Sequence, residues 1–359
     1  MKRYLLMGVV LSVGALALLW INYDRGLNEP KNEVAVPPNS PRPITGLIQE
    51  QKKIITSESQ VKETITQLSQ KGLPPLTNQQ IQGYLTSNDR DATCLIVGSR
   101  LSKNPELLRE AVARFTDNPV VQLEMALHGP TQEERQAALN AFKQHDPQNS
   151  LCDYLDSLSA FERGDFSQAA GGLIQSLDSG TLQDYSLTLA SGTEAAYLSA
   201  GYNNTEAQLF ALFDSTQRNQ DTTGKMGAVA DKLGELRDQY IKNNDIDAAE
   251  PTVTIGLDIG QKIQSQENPS FLSSLVGLDI EAKILNQLDP STPINSAGQT
   301  AEARLKELNL QKNQLQSLVQ KAQDLPISKM SDEQMKDYTQ KLRSQGEVSA
   351  TQWWLDQNK

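Results

Sequence analysis

The sequence predicts an all-α protein: a superhelix of stacked helix hairpins behind a single N-terminal membrane-spanning helix. Three observations point there. From Leu47 onward, apolar residues recur at three- and four-residue spacing, the period of a helix with one buried face. No alternating apolar–polar run of strand length interrupts them. Helix starts are marked by the pairs Asn104-Pro105, Asn118-Pro119 and Asn268-Pro269. There an Asn side chain can accept first-turn amides, and proline gives up a donor that the first turn does not use. With 359 residues, the chain has room for one large or two ordinary domains.

Residues 1–3 form a stub bearing Lys2 and Arg3, followed by the uncharged stretch Tyr4–Tyr23. A helix of about 20 apolar residues crosses a bilayer's hydrocarbon core. Trp20 and Tyr23 stand at the far end, where amphipathic rings favour the interface. Ala15-Leu16-Ala17 resembles a signal-cleavage site, but Leu18, Leu19, Trp20 and Ile21 carry the apolar run past it, and no lipoprotein cysteine follows. The reading is an uncleaved anchor, with Lys2 and Arg3 cytoplasmic and the rest extracytoplasmic. Cleavage, releasing a soluble periplasmic binding protein, is the alternative. Residues 24–45 hold five prolines between Pro30 and Pro43, a stiff solvated spacer. Residues 46–359 then form the exported helical body, with about fifteen helices by periodicity. Asp146-Pro147 precedes another helix, with a turn first.

The clearest unit spans 150–181 and contains CDYLDSLSAFERGDFSQAAGGLIQSL. Leu151, Tyr154, Leu155, Leu158 and Phe161 make one helical face; Gly164-Asp165 turns the chain. Phe166, Ala169, Ala170, Leu173, Ile174 and Leu177 make the second face. Gly171 and Gly172 each cost about 1 kcal/mol relative to alanine in a helix. A close helix crossing would justify them, and Ser157 lies opposite.

This pattern resembles the tetratricopeptide repeat, a helix hairpin of about 34 residues. Ser157, Ala169 and Ser176 fall where that family has small residues, Gly164-Asp165-Phe166 matches its turn, and Pro147 its closing proline. Asp153, Asp156 and Thr181 depart from the pattern. The upstream ARFTDNPVVQLEMAL is a weaker echo, and the resemblance covers Leu101 to Leu212. It implies a repeat-like fold. The order of segments also resembles bacterial membrane-anchored helical proteins, a group that implies a location and no particular activity.

A second echo repeats GLDIGQKI (Gly256–Ile263) as GLDIEAKI (Gly277–Ile284) on either side of Asn268-Pro269. It predicts two successive antiparallel helices with a close crossing at Gly256, Gly260 and Gly277. A phosphate loop is the competing reading, but no Gly-Lys-Ser/Thr follows either copy. Leu305, Leu308, Leu315, Val319 and Ala322 form a seam broken by Lys312, which predicts a long hairpin helix rather than a coiled-coil zipper. Trp353-Trp354 are expected to dock onto the last groove. A partner anchor is the alternative. Cys94 and Cys152 are expected to stay unpaired even in an oxidising compartment, since several helices separate them.

Lys and Arg number 33 against 44 Asp and Glu, a net charge of −11. Phosphate neutralisation needs clustered cations, so nucleic acid is excluded as a partner. Both histidines, His128 and His145, end helices, where the dipole favours a cation. No HExxH, CxxC or GxSxG occurs, so neither a zinc site nor a nucleophile elbow is expected. The acid pairs Asp153/Asp156 and Asp245/Asp247 read as surface charges. No catalytic, cofactor-binding or metal residue is expected, and no cofactor. The functional expectation is a tethered scaffold or adaptor that binds protein partners. An exported helical enzyme acting on a polymer through carboxylates is the alternative.

Overall fold

Short polar side chains set where the helices begin. The computed structural model describes residues 58–266, 268–324 and 330–358, and among these there are fourteen helices and no strand. They are α1 Glu58–Lys71, α2 Asn78–Ser87, α3 Ala92–Ser102, α4 Pro105–Arg114, α5 Pro119–His128, α6 Gln132–His145, α7 Leu151–Glu162 and α8 Phe166–Ser176. The second half contributes α9 Ser186–Ser199, α10 Asn204–Lys242, α11 Ile246–Gln264, α12 Phe271–Leu285, α13 Ala301–Asp324 and α14 Asp332–Gln357. The expected anchor at 4–23 and linker at 24–45 lie outside the described residues. No described helix is long and apolar enough to cross a membrane.

Asn104 and Asn118 cap α4 and α5 with proline in the first turn, as the Asn-Pro pairs predict. Asn268-Pro269 behaves differently. Asn268 sits at φ 81°, and α12 is instead capped by Ser270 through a reciprocal pair with Ser273. A hydroxyl at each end of a capping box satisfies two amide donors at once, so the start moves two residues downstream.

Consecutive helices pair as hairpins: α5 with α6, α7 with α8, α9 with α10, and α11 with α12. This is helical repeat-like packing, with one departure. The 39-residue α10, about 58 Å long at 1.5 Å per residue, is a spine touching α1, α7, α9, α11, α12 and α14. Its N-terminal half (Leu209, Phe210, Leu212, Phe213) enters a core with α1–α5, α9 and α14. Its C-terminal half (Met226, Val229, Leu233, Leu236) enters a second core with α7, α8 and α11. Each element therefore does not touch its sequence neighbours alone: α9 also returns to α2 and α3. Trp354 is 3% exposed and belongs to the first core. The sequence placed it in the last groove; α14 folds back far enough to carry it to the N-terminal helices.

The α7–α8 hairpin forms with its turn at Gly164, φ 77°. A Cβ on Gly172 would overlap the Ser157 hydroxyl, whereas one on Gly171 would meet nothing within 4 Å. Only Gly172 marks the crossing. The second face is narrower than the sequence suggests: Ala169 and Leu173 are buried, but Phe166 is 44% and Ile174 54% exposed. With glycine at the contact, α8 lies so close to α7 that the buried stripe shrinks to small residues and one leucine.

At α11–α12 the approach is closest. A Cβ on Gly277 would lie 2.5 Å from the Gly260 carbonyl oxygen, and one on Gly260 would lie 2.7 Å from that of Gly277. Gly256 meets Ile284, so the two copies of the echo run antiparallel. Above them the buried Glu281 takes Arg304 of α13 in a two-pronged pair. Leu308 and Val319 bury the seam of α13, and Lys312 leaves it to pair with Asp279 at 2.5 Å. The cysteines are free thiols, Cys94 in the first core and Cys152 in the second.

Candidate binding cavity

A polar pocket lies where α9, α10, α12 and α14 converge, and its wall is assembled from the loop upward. The segment leaving α8 is fastened to the one entering α7. Ser150 donates its amide to the Thr181 carbonyl at 2.9 Å, Thr181 donates to Gln148 at 3.1 Å, and the Asn149 side chain bonds Gln183 in both directions. Tyr185 donates its hydroxyl to Asp146 at 2.5 Å. Thr181 thus closes the hairpin with hydrogen bonds where the repeat family uses proline. So fastened, the chain enters α9 through Tyr185 at φ 54°, which gives no side-chain cap.

Asp184 supplies the missing cap. One carboxylate oxygen accepts the Ser186 amide at 3.0 Å, and the other accepts the Asn219 carboxamide at 3.0 Å. Asn219 in turn accepts the Ser270 hydroxyl at 2.7 Å. On the far side, Gly346 at φ 81° breaks α14 and lies so near Asn268 that a Cβ would fall 2.9 Å from its carbonyl carbon. The break turns Glu347 toward α12, where it accepts the Phe271 amide at 2.9 Å. Arg343 pairs with Glu194 of α9.

The space enclosed is about 360 Å³. Hydroxyls and carboxamides are its commonest polar side chains, and Leu182, Leu187, Leu212 and Leu342 supply apolar surface. No histidine or cysteine lines it; its hydroxyls, carboxamides and charged groups can hydrogen-bond and hold charge. Among the described residues, no group of histidine, cysteine and acid side chains is placed to hold a metal ion.

A second polar cluster is buried beneath α9. Asp214, fully enclosed, accepts Thr193 at 2.8 Å and pairs with Arg218 at 3.1 Å and Arg100 at 2.7 Å; Arg218 also reaches Glu124 at 2.5 Å. Burial alone would raise the Asp214 pKa, but the two guanidiniums outweigh it and hold it below the ordinary 3.8. The same balance, burial against Glu124 and Asp214, lifts Arg218 above its usual range. These groups pair with one another across four helices, although Arg218 keeps one Nη without a partner and Arg100 and Glu124 also border a smaller space of about 240 Å³; the cluster is read as a clamp joining α3, α5, α9 and α10.

The acid pairs resolve as follows. Asp153 is not a surface charge. It is 3% exposed, pairs with Lys143 at 2.6 Å and accepts Ser179 at 3.2 Å. Those partners, reaching in from α6 and from the loop after α8, are what permit its burial. Asp156 is half-buried and accepts Gln136 at 3.3 Å. Asp245 caps α11 and Asp247 lies exposed in its first turn. His128 and His145 do end α5 and α6. At His128, on the exposed end of α5, the protein mass around the ring together with Arg100 and Arg218 outweighs Glu124 and Asp221 and lowers the pKa.

The sequence did not reveal the cavity, because its walls come from stretches more than a hundred residues apart. No family model, curated protein or solved structure matches the chain.

Proposed function

We propose that the chain is a membrane-tethered helical scaffold that holds a segment of a partner protein in this cavity and carries out no chemistry of its own. The observation that carries the reading is the lining: an open site rich in hydroxyls and carboxamides, next to an oriented carboxylate. Such groups match peptide main chain. The paired helices between Leu101 and Leu212 support a tetratricopeptide-like superhelix, whose stacked hairpins present surfaces of this kind. The tether rests on the uncharged run Tyr4–Tyr23 behind Lys2 and Arg3, which would keep the body extracytoplasmic.

The net charge of −11 weighs against nucleic acid.

A photo-crosslinking amino acid at Thr188 or Gln266, both lining the cavity, tests the proposal in intact cells. Protein adducts should form there and not from Lys306, an exposed position on α13. Equal labelling from all three positions, or none from the cavity, would overturn it.

A further inference from the structure

We infer that the cavity recognises an extended peptide stretch bearing a lysine or arginine, with Asp184 as the acceptor of the basic head group. The inference rests on the scaffold reading and specifies its ligand.

Asp184 has no cation within ion-pair distance among the described residues, while the nearby Glu194 is taken by Arg343. Its oxygens are each aimed by one donor, Ser186 and Asn219, and each keeps a second acceptor site. A carboxylate fixed in this way is prepared for an ammonium or guanidinium. The second observation is independent of charge. Ser186 and Ser215 are 6% and 8% exposed and line the cavity. Neither hydroxyl has a hydrogen-bond partner among the described residues. Both hydroxyls belong to the open wall of the cavity and can bond the peptide groups of an occupant.

The carboxamides of Gln183, Gln266 and Asn268 also line the space, and each offers the paired donor and acceptor that one peptide unit requires. Leu212 and Leu342 supply apolar surface for the aliphatic stem of a lysine or arginine, which packs its methylenes while its head reaches a polar partner. The volume of about 360 Å³ is at the low end of ligand pockets, roughly 300–1,000 Å³. It suits a side chain with its flanking peptide units rather than a folded domain.

An anion is the competing occupant, since the N-terminus of α9 opens here and helix N-termini attract negative charge. Asp184 already occupies the first amide, and Arg343 is committed to Glu194. The charge left over is negative. The chain's −11 adds long-range attraction for a basic segment.

Random heptapeptides displayed on phage are selected on the immobilised full-length chain and, in parallel, on Asp184→Asn and on Asp247→Asn, a control acid on α11. The best peptide is then synthesised with its basic residue intact or replaced by glutamine. Selection should enrich lysine or arginine at one register position. The glutamine peptide should bind the unaltered protein about tenfold more weakly, the loss of one charged hydrogen bond. Asp184→Asn should weaken the basic peptide to a similar extent and add little to the glutamine replacement, while Asp247→Asn changes nothing. The glutamine arm uses the unaltered protein, so it holds even if a variant folds poorly. Enrichment without a basic residue, or equal binding to Asp184→Asn, overturns the inference and leaves the scaffold reading standing. If no peptide is enriched, or if chitohexaose binds instead and Asp184→Asn abolishes that binding, the scaffold reading falls as well.

Discussion

Gly277→Ala puts one methyl group where α11 and α12 come closest. The new Cβ would lie 2.5 Å from the Gly260 carbonyl oxygen, 2.7 Å from Gln264 Cγ and 3.2 Å from the Gln264 amide. Relaxed carbon contacts lie at about 3.5–4.0 Å, so the helices must part by roughly 1 Å, because neither the carbonyl nor the amide can rotate away. Overpacking of this kind costs about 1–3 kcal/mol, and a backbone obstacle belongs at the upper end. Better helix propensity returns about 1 kcal/mol, leaving a net loss of about 2 kcal/mol. In a body this large the melting temperature should fall by roughly 3–6 °C, read by differential scanning fluorimetry and circular dichroism on the full-length chain. Gly171→Ala is the matched control. Its Cβ meets nothing within 4 Å, so it should gain about 0.5–1 kcal/mol. If Gly277→Ala melts at or above the parent while Gly171→Ala rises, glycine at the crossing is not required by close packing, and the argument fails.

Three further outcomes follow from the buried polar groups. Arg218→Met leaves Asp214 and Glu124 facing each other without their shared cation and should cost about 3–5 kcal/mol in urea unfolding. The triple replacement with Asp214→Asn and Glu124→Gln should recover part of that loss. Acid should destabilise the fold in a defined window. Because the folded Asp214 pKa is below the ordinary 3.8, its contribution is fully present above that value and is lost as pH falls through the lower folded value. Urea midpoints taken from about pH 5 to about pH 2 should drop more steeply for the parent than for Asp214→Asn. Finally, burial pushes the thiols of Cys94 and Cys152 up to about 12, helped by Asp91 and Asp153 respectively. Both should therefore resist Ellman's reagent until the chain unfolds and then react in full; reaction in the folded protein would contradict their placement.

Local chemistry was legible in the sequence and convergence was not. Asn104 and Asn118 cap helices because an Asn-Pro pair acts within four residues, and the repeated GLDI motif placed Gly260 and Gly277 on antiparallel neighbours because glycine at helical spacing has few other uses. Asn268-Pro269 failed by the same local logic, since Ser270 and Ser273 offered a stronger cap two residues on. Asp153 looked like a surface acid because Lys143 and Ser179, which make its burial possible, are not its sequence neighbours. The cavity was invisible for that reason at larger scale. Asp184, Asn219, Ser270 and Glu347 look like ordinary solvated polar residues until α10 and the return of α14 bring them together. The left-handed residues Tyr185, Asn268 and Gly346 mark where the chain bends to make that wall, but only the glycine announces such a bend by its type.

The return of α14 has a consequence for synthesis. The core built on α1–α5 is closed by Met335, Tyr338 and Trp354, which leave the ribosome more than two hundred residues after α5. At roughly 5–20 residues per second, that interval is about 10–45 s. Throughout it, the apolar faces of α1–α5 that belong to this core, Leu68 and Leu85 among them, lack those side chains and form a half-built hydrophobic wall. A nascent chain in this condition is a substrate for chaperones before it is a binder of anything else, and premature termination just before Trp353 should yield aggregates rather than a shorter working protein.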